Sequence, residues 1–395
     1  MNANNKFDIE IPRKEKEDNK IMGMQEFIYV GIGAAGNKAA VELVKENVVS
    51  KDQVVLINST DRDFPAGFGG KTLVLTSDNA GCGKEREVSK RYAAAAISAG
   101  SIDSIIGDAE GVCIVTSLEG GTGSGSAPII GRYCAQSLGK TVRIFGFAGF
   151  EDDARGMQNT VEFFQELDFE CITHVIRNSL FNAGSRFASE QAANEEFAKQ
   201  IRILSAIDII ASSQNMDSTD VDKTRNTQGY CVVNRIDFDD SLMEVDDFNK
   251  LCKRAILQCK SLKSEYGQLR FGVILNVKPE SEDAIDYDFK LLKSEYGTPY
   301  DSFMHKQYDG GKQYIAYIAA GMKLPLEEVK AVYERYKQAS ASVDKSADNF
   351  FSEIENMKRT DEDSRFDVGL NRKKPTISRE EFLKQYDGGN AREKK

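Results

Sequence analysis

The stretch 113–130, CIVTSLEGGTGSGSAPII, places four glycines around two hydroxyl side chains, between two apolar runs. Glycine at this density costs conformational entropy in any ordered element, so it indicates that the backbone itself must come close to something. A glycine turn between a strand and a helix exposes successive N–H groups, which bind phosphate together with the helix N-terminus. We therefore predict a phosphate site, with a plain tight turn as the alternative, at Gly120, Gly121, Thr122, Gly123, Ser124 and Gly125.

Two further glycine turns have the same strand-to-helix setting. GIGAAGN at 31–37 would hold phosphate from the other side, unless it is a packing turn, through Gly33, Ala34, Ala35, Gly36 and Asn37. NAGCGKE at 79–85 would cover the terminal phosphate through Gly81 and Gly83, and Lys84 is either a phosphate contact or a solvated charge at a helix start. Three such loops favour a triphosphate, and the P-loop pattern G-x-x-x-x-G-K-[ST] does not occur.

The first turn alone also fits G-x-G-x-x-G, the pattern of dinucleotide-binding oxidoreductases. Those enzymes carry an acid about 20 residues further on, and neither Asp52 nor Asp61 is well placed for that role. A dinucleotide-binding oxidoreductase therefore stays as a remote alternative. Asn58 and Asp61 would instead meet the terminal phosphate or its Mg²⁺ through water, or form an Asx turn.

The elements that must position these loops alternate between strand and helix. EFIYV, QVVLIN, TLVL, GVCIVTS and TVRIFGFA read as strands, and helical patterns separate most of them. This order indicates a doubly wound, mostly parallel α/β sheet. Right-handed crossovers then bring all the strand-exit loops to one edge of the sheet.

Composition excludes several classes of protein. The chain has 395 residues, a net charge of −10 and no run of 18 apolar residues, so we expect neither membrane insertion nor a body that coats DNA. Two histidines are too few for a histidine-rich metal site, and seven cysteines without CxxC spacing indicate reduced thiols. The polar N-terminus lacks the apolar stretch of a signal peptide, so we expect a cytoplasmic protein of a bacterial host cell.

Seven segments, taken in order, resemble the tubulin/FtsZ superfamily of GTPases. EGGTGSGSAP resembles the tubulin signature loop, and GIGAAGN, INSTDRD and NAGCGKE resemble the preceding loops of that family. FEDDAR at 150–155, AAN at 192–194 and NMDSTD at 215–220 resemble its sugar, base and catalytic segments. The resemblance implies GTP and GDP as ligands, with Mg²⁺, and the plasmid and phage tubulins such as TubZ are the most similar branch.

The same resemblance implies roles for the sugar and base residues. Glu151 would accept from the ribose hydroxyls and Arg155 would pair with phosphate, with a surface ion pair as the alternative. Asn178 and Asn194 would read the guanine edge, unless they serve as caps or turns. The family usually has an aromatic residue where this chain has Glu190, so stacking on the base would fall to Phe187 or be absent.

The resemblance further implies a catalytic loop at Asn215, Asp217 and Asp220. The two acids are spaced i, i+3 at a helix start and share a face. They follow the long central helix, at its end opposite the nucleotide edge, so they cannot reach the nucleotide of their own subunit. In a head-to-tail filament they would serve the neighbour's nucleotide, with a solvated capping box as the alternative.

The predicted organisation has six parts. They are a flexible arm (1–25), a GTP-binding domain (26–183), a central helix (184–212), a second, smaller activation domain (213–324), a C-terminal helix (325–359) and a charged, largely disordered tail (360–395). Residues 371–395 hold eight basic and four acidic side chains, so this end is either solvated or a handle for a DNA-binding adaptor. We expect a filament that segregates plasmid or phage DNA, with cell division or another cytoskeletal task as the alternative.

Overall fold

Ten strands form one sheet in the computed structural model, which describes residues 26–206, 218–239, 241–264, 267–340 and 376–387. Their spatial order is β3-β2-β1-β4-β5-β6-β7-β10-β8-β9. In chain order they are β1 (Phe27–Ile32), β2 (Val54–Asn58), β3 (Lys71–Val74), β4 (Gly111–Ser117), β5 (Thr141–Ala148), β6 (Ile172–Arg177), β7 (Gly229–Phe238), β8 (Arg270–Asn276), β9 (Asp301–Gln307) and β10 (Gln313–Met322). The antiparallel pairs are β7 with β10 and β10 with β8. The predicted mostly parallel α/β fold is confirmed.

Helices cover both faces of the sheet, as a doubly wound fold requires. They are α1 (Gly33–Lys45), α2 (Arg86–Ser98), α3 (Ser101–Ile106), α4 (Gly121–Gln136), α5 (Ala154–Gln165), α6 (Arg186–Leu204), α7 (Ser218–Arg225), α8 (Val245–Gln258), α9 (Lys290–Tyr296), α10 (Leu326–Ala339) and α11 (Arg379–Asp387). One apolar core contains residues of α1 and α6, and the other contains residues of α2, α4 and α5. Strands β1 and β2 are buried throughout, which explains why they read as continuous apolar runs.

The strands of the predicted second domain extend the first sheet. β7 pairs with β6 through only two residue pairs, Ile172 with Gly229 and Thr173 with Tyr230. Strand β9, DSFMHKQ, was not predicted, because it is a mostly polar edge strand in which only His305 is buried. The predicted domain boundaries stay a prediction.

Two helices follow β10 in the described residues. Helix α10 covers the first part of the predicted helix 325–359 and ends at Ala339, and residues 341–359 of that prediction lie outside the described residues. Within the tail that is predicted to be largely disordered, residues 379–387 form α11. Its Phe382 is fully buried and packs edge-on against Tyr133 at 5.1 Å between ring centroids. The few apolar side chains of this charged segment were too weak a signal to predict this packing. The predicted arm 1–25 lies outside the described residues.

No helix in the described part of the chain is both long enough and apolar enough to cross a membrane.

Candidate functional site

The candidate site lies where the strand order reverses, between β1 and β4. Ligands of open α/β sheets bind at the carboxyl ends of the strands at such a point. Here α1 and α4 start on opposite faces of the sheet, directly after these two strands. Gly33 has φ +77°, and a Cβ atom on it would lie 3.0 Å from the Gly123 nitrogen. The two helix N-termini therefore meet, and their free N–H groups converge on one position.

The glycine-rich loop is held by its own hydroxyl groups and by a neighbouring loop. The Thr122 hydroxyl lies 3.0 Å from the Ser59 hydroxyl, which belongs to the loop after β2. The buried Ser124 hydroxyl donates to the Gly120 carbonyl oxygen, so this hydroxyl is not free to donate to a ligand. In the glycine turn at the start of α1, Ala34 and Ala35 are exposed, whereas Gly36 packs tightly against the Val115 carbonyl.

Three buried asparagine side chains at this edge each have one atom without a hydrogen-bond partner among the described residues. The atoms are Asn37 Oδ1, Asn58 Nδ2 and Asn178 Oδ1. The other amide atoms of two of them are used locally, because Asn37 donates to the Ile57 carbonyl at 3.3 Å and Asn58 accepts from Ser59 N–H at 2.8 Å. A buried polar atom left unpaired is costly. These atoms are therefore candidate contacts to a polar ligand.

The third loop, 78–84, lies against the start of α4. A Cβ atom on Gly121 would lie 2.6 Å from the Lys84 Cα, whereas ideal Cβ atoms on Gly81 and Gly83 meet nothing within 4 Å. Lys84, which is predicted to be either a phosphate contact or a solvated charge, forms an ion pair in this structure. Its Nζ lies 2.6 Å from the Asp153 carboxylate. That bond also lowers the pKa of Asp153.

Asp61 contacts the same loop, because its Oδ1 accepts from Asn79 Nδ2 at 2.6 Å. No cluster of three or more metal-ligating side chains occurs in the described ranges. A Mg²⁺ ion typically binds through one or two carboxylates, phosphate oxygens and water. The exposed Asp61 carboxylate at the phosphate edge fits that requirement.

Both predicted residues of the sugar loop form ion pairs. The Glu151 carboxylate pairs with Arg177 at 3.5 Å and also with Arg335 of α10, so it is directed towards α10. Arg155 pairs with Glu85 at 3.0 Å on the surface. The roles of Glu151 and Arg155 towards ribose and phosphate stay predictions.

Glu119 was missed by the sequence reasoning. It is buried directly before the glycine-rich loop, and its Oε1 accepts from the Glu151 N–H at 2.7 Å. Burial, followed by the nearby Asp152 carboxylate, raises the pKa of Glu119. The position of this acid between an apolar strand and a glycine turn could have marked Glu119 as a site residue. Its bond with the Glu151 N–H could not be predicted from the sequence.

The predicted base residues lie where β6 ends and α6 begins. Asn178 is buried, Asn194 is half-buried and Phe187 is 72% exposed. Glu190, which occupies the family's aromatic position, pairs with Arg186 at 3.3 Å. Phe187 therefore has a ring surface available for stacking.

Asp220 lies at the opposite edge of the sheet. It is on α7, which directly precedes β7, and β7 starts beside the first residue of β6. Helix α6 runs from one edge to the other over 19 residues, about 28 Å at 1.5 Å per residue. Asn215 and Asp217 lie outside the described residues.

Two buried arginines fix the ends of α6 and α7 to each other. Arg225 donates to the Leu204 carbonyl at 2.6 Å and pairs with Asp222. The fully buried Arg143 donates to the Arg225 carbonyl, and burial lowers its pKa. Both carbonyls are at helix C-termini, where the dipole favours a cation. These bonds hold α7 at this edge.

Comparisons with known proteins agree with this geometry. Residues 26–183 match the family model described as the GTPase domain of the Tubulin/FtsZ family. Among curated proteins, Cell division protein FtsZ 2 of Halobacterium salinarum is 28% identical over 114 residues, and its namesake from Haloferax volcanii is 29% identical over 112 residues. Each match covers 28% of this chain and only 28% of the relative's own length.

Solved structures resemble about four fifths of the chain. Clostridium botulinum phage c-st TubZ has a TM-score of 0.62 at 17% identity and covers 80% of this chain and 98% of its own. CetZ2 from Haloferax volcanii, a GTPγS-bound protofilament, has a TM-score of 0.66 at 20% identity and covers 79% and 98%. At these identities the likeness shows the fold alone.

Proposed function

We propose that the protein is a GTP-dependent filament-forming protein whose GTPase site is completed between subunits, because residues 26–183 match the GTPase domain of the Tubulin/FtsZ family. The observation that carries this proposal is the separation of two half-sites. The phosphate loops converge at the carboxyl edge of the sheet, and the helix that carries Asp220 lies at the amino edge. When the carboxyl edge of one subunit contacts the amino edge of the next, each subunit keeps a free edge for a further subunit. Such a head-to-tail contact generates a filament when the subunits do not close into a ring.

The carboxyl edge holds the triphosphate. The N–H groups at the starts of α1 and α4 bind the α- and β-phosphates, and the third loop covers the γ-phosphate. Mg²⁺, when bound, neutralises charge on the phosphate oxygens, with Asp61 as the side chain placed to hold it through water. For Glu151 to bind the ribose and Arg155 to bind phosphate, the ion pairs of both side chains must open. If these pairs stay closed, the two residues contribute little to nucleotide binding.

The neighbouring subunit supplies the acids. Asp217 and Asp220 orient the attacking water and accept its proton as the water oxygen bonds to the γ-phosphorus. The bond between the γ-phosphorus and the β–γ bridging oxygen breaks, and GDP leaves with that oxygen and its electron pair. Asn215 contacts the γ-phosphate or the loop that covers it. Asn178 and Asn194 read the guanine edge, because amides both donate and accept, and Phe187 stacks on the base.

Substitution of the acids tests this assignment. Asp217→Ala and Asp220→Ala should keep GTP binding and GTP-induced light scattering, but lower phosphate release by about 10²-fold or more, within the range of general acid–base catalysis. Asp246→Ala, which removes an exposed carboxylate on α8, is the matched control. Phosphate release at the parental rate by either variant would refute the role of these acids.

For the cellular role we propose segregation or positioning of plasmid or phage DNA through an adaptor. The basic clusters near 372–374 and 392–395 flank α11, which is itself not basic. Cell division is the second candidate, because the curated relatives are cell division proteins. Pull-down with the full chain, compared with a variant whose two basic clusters are neutralised, discriminates between them. Loss of a small DNA-binding partner supports segregation.

A further inference from the structure

Asn159 connects two of the phosphate loops, although it belongs to neither. It is on α5 and is 1% exposed. Its Nδ2 donates to the Lys84 carbonyl at 3.1 Å and to the Glu119 carbonyl at 3.0 Å. One side chain thus fastens the end of the third loop to the entrance of the glycine-rich loop.

The chain that follows the third loop is also fixed on α4. The Ser89 hydroxyl donates to the Gly121 carbonyl at 2.9 Å, and Arg86 donates to the Ser124 carbonyl at 3.0 Å. Arg86 is buried and also pairs with Glu162 and Glu166 of α5. Residues 84–89 are therefore held from both α4 and α5.

The preceding residues of the loop have few contacts. Ideal Cβ atoms on Gly81 and Gly83 meet no heavy atom within 4 Å, and both Gly83 and Lys84 have positive φ values of 56° and 66°. The contact at the other end of this segment is between Asn79 and Asp61. Cys82 is the one buried residue of 79–83, so the loop consists of a mostly solvent-accessible part, 79–83, and a firmly bonded base that begins at Lys84.

We propose that Asn159 is a positioning residue that sets where the third loop covers the terminal phosphate, and that it thereby contributes to discrimination between GTP and GDP. This proposal rests on the proposed function. Without the two bonds of Asn159, the base at Lys84 is no longer tied to α5 and to the entrance of the glycine-rich loop, and the third loop no longer closes over the γ-phosphate. GDP lacks that phosphate, so its affinity depends much less on this loop.

The test compares affinities for GTP and GDP in the full chain, by competition against a fluorescent nucleotide. Asn159→Ala should lower the ratio of GTP to GDP affinity by about tenfold. A change of this size corresponds to the loss of about one to two hydrogen bonds. Gln158→Ala is the control: Gln158 is adjacent on α5 and donates to Glu162 at 2.7 Å rather than to either loop. If Asn159→Ala does not fold, Asn159→Ser replaces it.

A lower melting temperature with an unchanged affinity ratio would reduce Asn159 to a structural residue and overturn the proposal. Hydrogen exchange on the parent chain gives an independent test. GTP should protect the amides of 79–83 while those of 84–89 are protected already, and equal changes in both segments would contradict the account. If the parent chain does not bind GTP, the proposed function fails instead.

Discussion

The substitution Gly33→Ala tests whether the N-termini of α1 and α4 form one phosphate site. Alanine at φ +77° costs about 1–2 kcal/mol relative to glycine. Gly310 has φ +78° and open space around its Cβ position, so Gly310→Ala carries the same backbone cost without a neighbour. The added Cβ on Gly33 would also lie 3.0 Å from the Gly123 nitrogen and 3.3 Å from its Cα, which is tight enough to push α1 and α4 apart.

Gly33→Ala should therefore lose at least as much stability as Gly310→Ala, and it alone should lose nucleotide affinity. We expect GTP affinity to fall about 10- to 100-fold for Gly33→Ala, or about 1.4–2.8 kcal/mol, and to stay near the parental value for Gly310→Ala. Titration with a fluorescent GTP analogue, beside melting curves of both variants, measures the difference. Parental GTP affinity in a folded Gly33→Ala chain would refute the convergence of the two helices on phosphate.

Two further predictions concern Glu119 and α11. Because burial raises the pKa of Glu119, the folded chain holds that proton more tightly than the unfolded chain, and stability is lost as pH rises from the ordinary Glu range through the raised pKa. Glu119→Gln keeps an acceptor for the Glu151 N–H, so its melting temperature relative to the parent should rise as the pH increases above the ordinary Glu range; a constant difference would contradict this. Phe382→Ala should detach α11, since truncating a buried Phe costs about 3–5 kcal/mol, and limited proteolysis should then cut within 376–387 while the exposed control Lys384→Ala resists. Equal cleavage of both variants would refute the docking of α11.

The sequence predicted the sheet and its phosphate edge, because both depend on local patterns. Continuous apolar runs marked β1 and β2, and glycine turns marked the starts of α1 and α4. The roles of Glu119 and Asn159 could not be predicted, since each depends on carbonyl or N–H groups at least 32 residues away.

Contacts between distant segments account for the other differences. Glu151 pairs with Arg335, 184 residues further along the chain, and no local pattern connects them. Strand β9 has the polar composition of an edge strand, so its sequence lacked the alternation that marks a buried one. Local sequence therefore indicated where the glycine turns meet, but not which side chains are held by ion pairs.

Phosphate release per subunit, measured across protein concentration at saturating GTP, tests the shared site most directly. If one subunit binds the triphosphate and the next supplies the acids, turnover per subunit should be near zero in dilute solution and rise steeply above a critical concentration, together with light scattering. A rate per subunit that is the same in dilute and concentrated solution would contradict a site shared between subunits.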